Sequence, residues 1–423
     1  IKASGSLHEF LMDIHADYGP MASFLFGPQL VVSICCPDLY KQYLKTFDRP
    51  ASLFEFLEPL ITANSIQFAN GAEGRMRHSA YMRSFGDSMV KNYYPMLQKF
   101  ASDLTRSLQL EAKETHIPLR KYMFAFAIKA MLRGAYGKYF DSDEEIHKLR
   151  AAYDVCWTDL EHRLLGDLPV EGSKRDERFE KNKKIMYDIM QKVLDDRRSN
   201  PPENDERCFV DALIDLDVSE DVKKSDMLTV LIAGFHTTGL LLTWCLYYLA
   251  KHEEIQDKLL GEIEAVLGKD GVVKADNVHQ LPYLRQVLNE SLRCSVLAPF
   301  AARVQSTDVE IGGHTIPANT PVLMALGVTL CNDEFYPDPE IFDPERFTEE
   351  NMKNRPSLAF EPFGFGKRKC LGYKFSMAEF SVLIPTLIRH LKVELVPGQV
   401  VTPMFGLVTT PTDEIWVTVS ERK

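Results

Sequence analysis

Positive charge is in deficit in this 423-residue sequence: 49 Lys and Arg stand against 60 Asp and Glu, a formal net charge of −11. A surface of that sign repels phosphate backbones, so a nucleic-acid role has no electrostatic support. Paired cysteines are missing too. The eight present, at 35, 36, 156, 208, 245, 294, 331 and 370, form no C-x-x-C pair, which removes the usual zinc-ribbon and dithiol patterns. A chain of this length builds a core without disulfide staples, so reduced thiols facing the cytosol are expected. Internal repeats and low-complexity tracts are absent, and so is any flavin or nicotinamide motif.

What is present starts with one long apolar segment. Residues 227–250 run for 24 positions without Asp, Glu, Lys or Arg. Hydropathy reads such a run as a membrane span, and equally as a helix buried on every face inside a large protein. Periodicity does not separate the two. Around it, apolar residues recur at three- and four-residue spacing over 94–110, 179–198 and 253–267, which predicts amphipathic helices. β-prone runs at 23–26 and 30–35 flank Gly27-Pro28, and those at 304–311 and 314–316 flank Gly312-Gly313; both predict hairpins. A further strand is expected at 321–325, and 414–419 alternates like an edge strand. The β-rich parts, near 18–50, 300–330 and 390–420, enclose a helical middle. The expected fold is therefore mainly α with small β-sheets (α+β), a single catalytic domain over 1–423.

The sharpest local signal is Phe363-Gly364-Phe365-Gly366-Lys367-Arg368-Lys369-Cys370-Leu371-Gly372. Gly364, Gly366 and Gly372 allow tight turns and close approach to a flat partner. Arg368 is placed to neutralise an anionic group. Cys370 should open a helix over 371–390, whose first N–H groups stabilise a thiolate. An isolated cysteine is more often a small buried hydrophobe, but here Phe363, Gly366, Arg368, Cys370 and Gly372 occur together at fixed spacing.

This loop resembles the haem-binding loop of the cytochrome P450 family, with the pattern complete. The resemblance implies haem b held by the Cys370 thiolate, with Phe363, Gly364, Arg368 and Gly372 around it. It also implies a P450-like fold, a helix-rich lobe around the haem plus a smaller β-rich lobe. Glu290-Ser291-Leu292-Arg293 puts an acid and a base three apart on one helical face; alone it means little. In the family such a pair locks to a later arginine, and Pro344-Glu345-Arg346-Phe347 matches that loop. Glu290, Arg293 and Arg346 are thus implied to form a structural triad.

Ala233-Gly234-Phe235-His236-Thr237-Thr238 resembles the family's oxygen-binding stretch, where Ala233 and Gly234 leave room over the iron. That makes 227–250 an internal helix rather than a membrane span. By the resemblance Thr237 holds dioxygen and a water in hydrogen bonds and admits protons to the distal oxygen. Thr238 has the plainer expectation of bonding back to the preceding turn. Where the family usually has an acid, this sequence has His236, whose imidazole shuttles protons near neutral pH. Packing or a local hydrogen bond is an equal alternative for it. A second departure lies at 71–83, where the family's propionate-binding Trp is replaced by Gly74. Arg75, Arg77 or His78 is the candidate substitute, and Arg303 a further propionate contact.

The resemblance runs from about Tyr18 to the C-terminus. Residues 4–10 and 414–420 look like the animal orphan branch numbered twenty of that family. It implies oxygen insertion into an apolar, lipid- or steroid-like molecule by an enzyme on the cytosolic face of the endoplasmic reticulum membrane. An anchor upstream of Ile1 and an external NADPH-dependent reductase are implied with it. Lys367, Arg368 and Lys369, with Arg75 and Arg77, are the expected basic docking face for an acidic reductase domain. Two other readings compete: a haem-thiolate isomerase or dehydratase working without O₂, and a non-catalytic haem-binding sensor or carrier.

Overall fold

A hydroxyl at each helix start and charge of the right sign at each end shape the longest surface helices. The computed structural model describes residues 5–111, 116–203, 206–268 and 270–422; Ser4, which begins the segment 4–10, lies outside them. Helix Asp143–Leu164 is capped by Ser142, whose Oγ accepts the Glu144 N–H at 3.3 Å, and it carries three acids in its first turn and His162 and Arg163 in its last. Helix Lys174–Ser199 repeats the arrangement with Ser173 and Asp176. Both satisfy free N–H groups and complement the helix dipole. Helix Glu253–Leu267 ends at Gly268 with φ 67°, a conformation open to glycine without strain.

The chain divides into two compact units. The first comprises 1–49, 94–126 and 237–423, and it holds every described strand. Met21–Phe26 pairs antiparallel with Gln29–Ile34 around the predicted Gly27-Pro28 turn. Val322–Met324 then adds in parallel, and Ala301–Arg303 closes the four-stranded sheet antiparallel. Against this sheet Val32, Ile34, Tyr40, Tyr43, Met324 and Phe365 bury one another. Phe365 belongs to the cysteine loop, so the loop is pinned to the sheet by apolar burial. The second predicted hairpin forms, shortened to Val309–Ile311 and His314–Ile316.

The C-terminal strand departs from expectation. Trp416–Glu421 lies in the middle of a three-stranded sheet, between Leu391–Leu395 and the short Ile117–Pro118. An alternating pattern reports one buried face and says nothing about who pairs along each edge; Ile117 and Pro118 arrive from 300 residues upstream.

The second unit, 50–93 and 127–236, is built of helices and loops, with no strand among its described residues. Its core packs Asp143–Leu164 against Lys174–Ser199, through buried Cys156, Phe179, Met186, Ile189 and Val193. The boundary between the units falls within one continuous helix, Glu220–Lys251, between His236 and Thr237. This helix is long and apolar enough to cross a membrane, yet 72% of its apolar window is buried inside the protein. Leu228, Leu240 and Leu242 have no exposed surface, and each contributes about 1.5–3 kcal/mol by leaving water. The packed alternative is the one realised.

Candidate cofactor site

The cysteine loop is built by its own backbone. Cys370 N–H donates to Phe363 O at 2.9 Å, Lys369 N–H to Gly366 O at 3.2 Å, and Lys367 N–H to Leu44 O at 3.2 Å. Gly364 and Gly366 both sit at φ 66°, where L-residues are strained. A Cβ on Gly366 would in addition run into the Leu44 carbonyl, whereas Gly364 faces open space. Gly372 has φ −90°, so it is not needed for a turn; it caps helix Tyr373–His390. That helix starts two residues later than the sequence suggests, with Gly372 at its N-cap and the Ser376 N–H donating to Gly372 O at 2.9 Å.

Cys370 retains accessible surface, but the protein around its sulfur pushes the thiol pKa up by desolvation. Four features pull against that: the Gly372 N–H, the charge of Arg49, the charge of Lys369 and the Tyr373 N–H. They are the parts of a thiolate site at the mouth of a helix. Arg49 is the residue that sequence reasoning missed. Its sequence neighbours, Phe47, Asp48 and Pro50, carry no signal that brings it to Cys370.

A second cation stands with it. Arg303, on strand Ala301–Arg303, is 1% exposed, donates to Ala302 O at 2.8 Å and Phe365 O at 3.3 Å, and leaves its buried Nε without a hydrogen-bond partner among the described residues. Burial and the neighbouring Arg49 push its pKa down to about 9, and burial pushes Arg49 down to about 10. Holding a buried guanidinium beside a half-buried one is costly unless an anion joins them. Arg368 is buried as well, with its guanidinium 4.2 Å from the centre of the Phe47 ring. Phe363 lies 6.1 Å from Tyr373, and Lys369 reaches over the same ring at 4.9 Å.

Two expectations for basic residues fail on burial. Arg77 is 1% exposed and committed to Asp226, with Nε donating at 3.1 Å and Nη2 also bound to that carboxylate. It therefore contributes neither to a docking face nor to a propionate contact. Arg368 is likewise turned inward and drops out of the docking face, leaving Lys367, Lys369 and Arg75 with accessible surface. His78 is buried on the same helix as Arg77, Gly71–Ser84.

The triad comes together. Arg293 forks onto Glu290 through Nε and Nη2, both at 2.8 Å, while Arg346 Nε stands 3.4 Å from the same carboxylate. Asp343 N–H adds a bond to Glu290 at 2.9 Å. With Glu290 and Arg293 fully buried, this pair needs such extra donors to offset its desolvation.

On the long helix, Ala233 is exposed and Thr237 half-buried. Gly234 has a packing reason of its own: a Cβ there would collide with the Met131 side chain. His236 Nδ1 is 2.7 Å from the Tyr153 hydroxyl, and Trp157 lies against the imidazole with ring centres 4.4 Å apart. Thr238 does not bond back to its own helix. Its Oγ1 donates to Ser376 Oγ at 3.1 Å, across to helix Tyr373–His390, while Thr243 makes the back-bond, to Gly239 O at 2.7 Å.

Among the described residues no group of three or more His, Cys, Asp or Glu is arranged to hold a metal ion. A lone cysteine with buried cations nearby fits a porphyrin, which supplies four nitrogens of its own to the iron and carries anionic propionates. The fold and this donor set define a haem-thiolate protein. The Cytochrome P450 family model matches residues 1–419, and the chain belongs to that family. It is 32% identical to cytochrome P450 20A1 of Rattus norvegicus, covering 100% of this chain and 90% of that one, and 30% identical to the Homo sapiens protein over the same shares. A cyclooctat-9-en-7-ol 5-monooxygenase of Streptomyces melanosporofaciens is 26% identical over 92% of this chain and 86% of its own length. The crystal structure of the cytochrome P450 CYP102L1 superposes with a TM-score of 0.88 at 19% identity, covering 99% of this chain and 98% of that one. The family holds haem through a cysteine thiolate and includes monooxygenases that draw electrons from an external partner.

Proposed function

We propose that this protein is a haem-thiolate monooxygenase in which Cys370 ligates the iron and Arg303, Arg368 and Arg49 hold the propionates. The observation that carries the reading is the Cys370 thiol at the mouth of helix Tyr373–His390, taking N–H groups from Gly372 and Tyr373 and facing Arg49. When bound, the haem supplies dioxygen activation, with the thiolate favouring O–O cleavage. The chain's own residues do the rest. Thr237 holds dioxygen and a water with its hydroxyl. His236 moves protons in place of the family's acid. Ala233 would leave room for a bound haem, and Glu290, Arg293 and Arg346 would hold the surrounding core in place. Phe363, Gly364 and Gly372 shape the loop, and His78 is a further propionate contact.

The substrate is an apolar molecule of lipid or steroid type, and the electron donor is an NADPH-dependent reductase. The animal relatives support a place on the cytosolic face of the endoplasmic reticulum membrane, with residues 1–423 as the catalytic domain. The optical spectrum of the reduced protein with carbon monoxide tests the core of this reading. The sulfur-type band is expected, and Cys370→Ser should abolish it. Retention of that band in the serine variant overturns the assignment.

A further inference from the structure

Tyr153 and His236 form a hydrogen-bonded pair at the position where the family usually has an acid. The Tyr153 side chain is 1% exposed, and its hydroxyl lies 2.7 Å from His236 Nδ1. Its ring stacks on Trp157 at 5.7 Å and meets Phe235 edge-on at 4.6 Å, so the hydroxyl is held in place by three aromatic contacts, the third being His236 itself at 6.1 Å. Trp157 is anchored in turn, donating from Nε1 to Glu161 at 2.9 Å. The charged groups around the pair are accounted for: Arg150 bonds Asp154 at 2.7 Å and lies over the Phe235 ring, and Glu161 takes the Trp157 N–H.

Satisfaction of the hydroxyl decides the proton. Burial holds the Tyr153 pKa well above its usual value, so it stays an O–H group. Among the described residues, its hydrogen-bond acceptor is His236 Nδ1. Were Nδ1 to carry the imidazole proton, it would donate to Tyr153 Oη and leave the buried O–H with no acceptor, at a cost of about 1–3 kcal/mol. The low-energy arrangement has Tyr153 donating to a bare Nδ1, with the imidazole proton on Nε2.

We propose that Tyr153 is a positioning residue that locks neutral His236 in its Nε2–H tautomer and so makes the ring a single-ended proton donor. A carboxyl in the same position has two equivalent oxygens and accepts or donates at either. His236 with Nδ1 capped gives and regains its proton at one nitrogen only, and no proton passes through the ring while Tyr153 donates to it. The functional half of this inference rests on the monooxygenase reading; the tautomer itself does not.

The test is nitrogen NMR on holoenzyme labelled in its histidines, in the diamagnetic reduced carbon monoxide form, with His236 assigned from its loss in His236→Gln. The expected spectrum shows a protonated Nε2 and a bare Nδ1, in roughly tenfold excess or more over the other tautomer. Tyr153→Phe keeps the aromatic contacts, and the excess should fall toward the mild preference of a free imidazole. In turnover, product formed per NADPH should drop in Tyr153→Phe and in His236→Gln, and the double variant should be no worse than His236→Gln alone. A protonated Nδ1 in the unaltered protein, or a tautomer ratio that ignores Tyr153→Phe, overturns the proposal. The carbon monoxide band of the same samples reports on the haem reading separately, so failure of one is distinct from failure of the other.

Discussion

Thr238 Oγ1 donates to Ser376 Oγ at 3.1 Å, tying the long apolar helix to the helix that follows Cys370. Beside this contact Glu379 is fully buried, and neither of its carboxyl oxygens has a hydrogen-bond partner among the described residues. Desolvation holds its pKa well above the carboxyl range, against the pull of Thr238. The folded state therefore favours the protonated acid. The sign follows from linkage: a raised folded-state pKa contributes stability that is full below the unfolded value and is lost as pH rises above it. Glu379→Gln, neutral at every pH, should gain on the unaltered protein as pH rises from 4 to 8, by about 1 kcal/mol or more. Denaturant melts at the two pH values check it, and a difference independent of pH counts against a neutral Glu379.

Asp226 is the acceptor for Arg77, for the Tyr81 hydroxyl and for the Ile66 N–H, the last at 2.6 Å, all without access to solvent. Desolvation opposes the Arg77 charge, and the Asp226 carboxylate more than restores it. Asp226→Asn leaves that buried cation with only the exposed Glu73, 3.0 Å from Nη1, as counter-charge, and should cost about 3 kcal/mol. Replacing both by apolar residues of similar volume should cost less than the single change. Chemical denaturation of the three variants decides the order.

Gly364 and Gly366 share a backbone conformation but not an environment. Alanine at Gly364 carries only the left-handed penalty, about 1–2 kcal/mol. Alanine at Gly366 adds a collision with the Leu44 carbonyl. The Gly366→Ala variant should therefore lose more stability and more haem than Gly364→Ala, as read from the ratio of haem to protein absorbance after purification.

Arg303→Gln removes a buried cation whose Nε lacks a partner within the described protein. With the propionate reading, haem dissociation should quicken by roughly tenfold, the worth of one charge-assisted hydrogen bond. Arg77→Gln offers a contrast. It should destabilise the fold through Asp226 while leaving haem exchange from the surviving folded protein near its original rate. Haem transfer to an acceptor protein measures both, and equal rates for Arg303→Gln and the unaltered chain would remove Arg303 from the site.

Local chemistry was legible in the chain. The glycines of the cysteine loop, the hydroxyl starts of helices, the turns at Gly27 and Gly312 and the apolar face of Glu253–Leu267 are each decided by residues within a few positions of one another. Even the triad could be anticipated, because Glu290 and Arg293 share one helical face and Arg346 stands in a recognisable loop. Partners from distant segments were another matter. Arg77 and Arg49 look alike in sequence, yet one is spent on an aspartate 149 residues away, and the other's charge acts on the Cys370 thiol.

Residue order determined that a glycine-rich cysteine loop, a long apolar helix and small sheets would form, since caps, turns and apolar periodicity act over a few residues. Tertiary structure decided which side chains meet: Tyr153 with His236, Thr238 with Ser376, Trp416–Glu421 between two strands rather than at an edge. Hydrogen bonds and charges act over a few ångströms in space, and separation along the chain does not predict that distance.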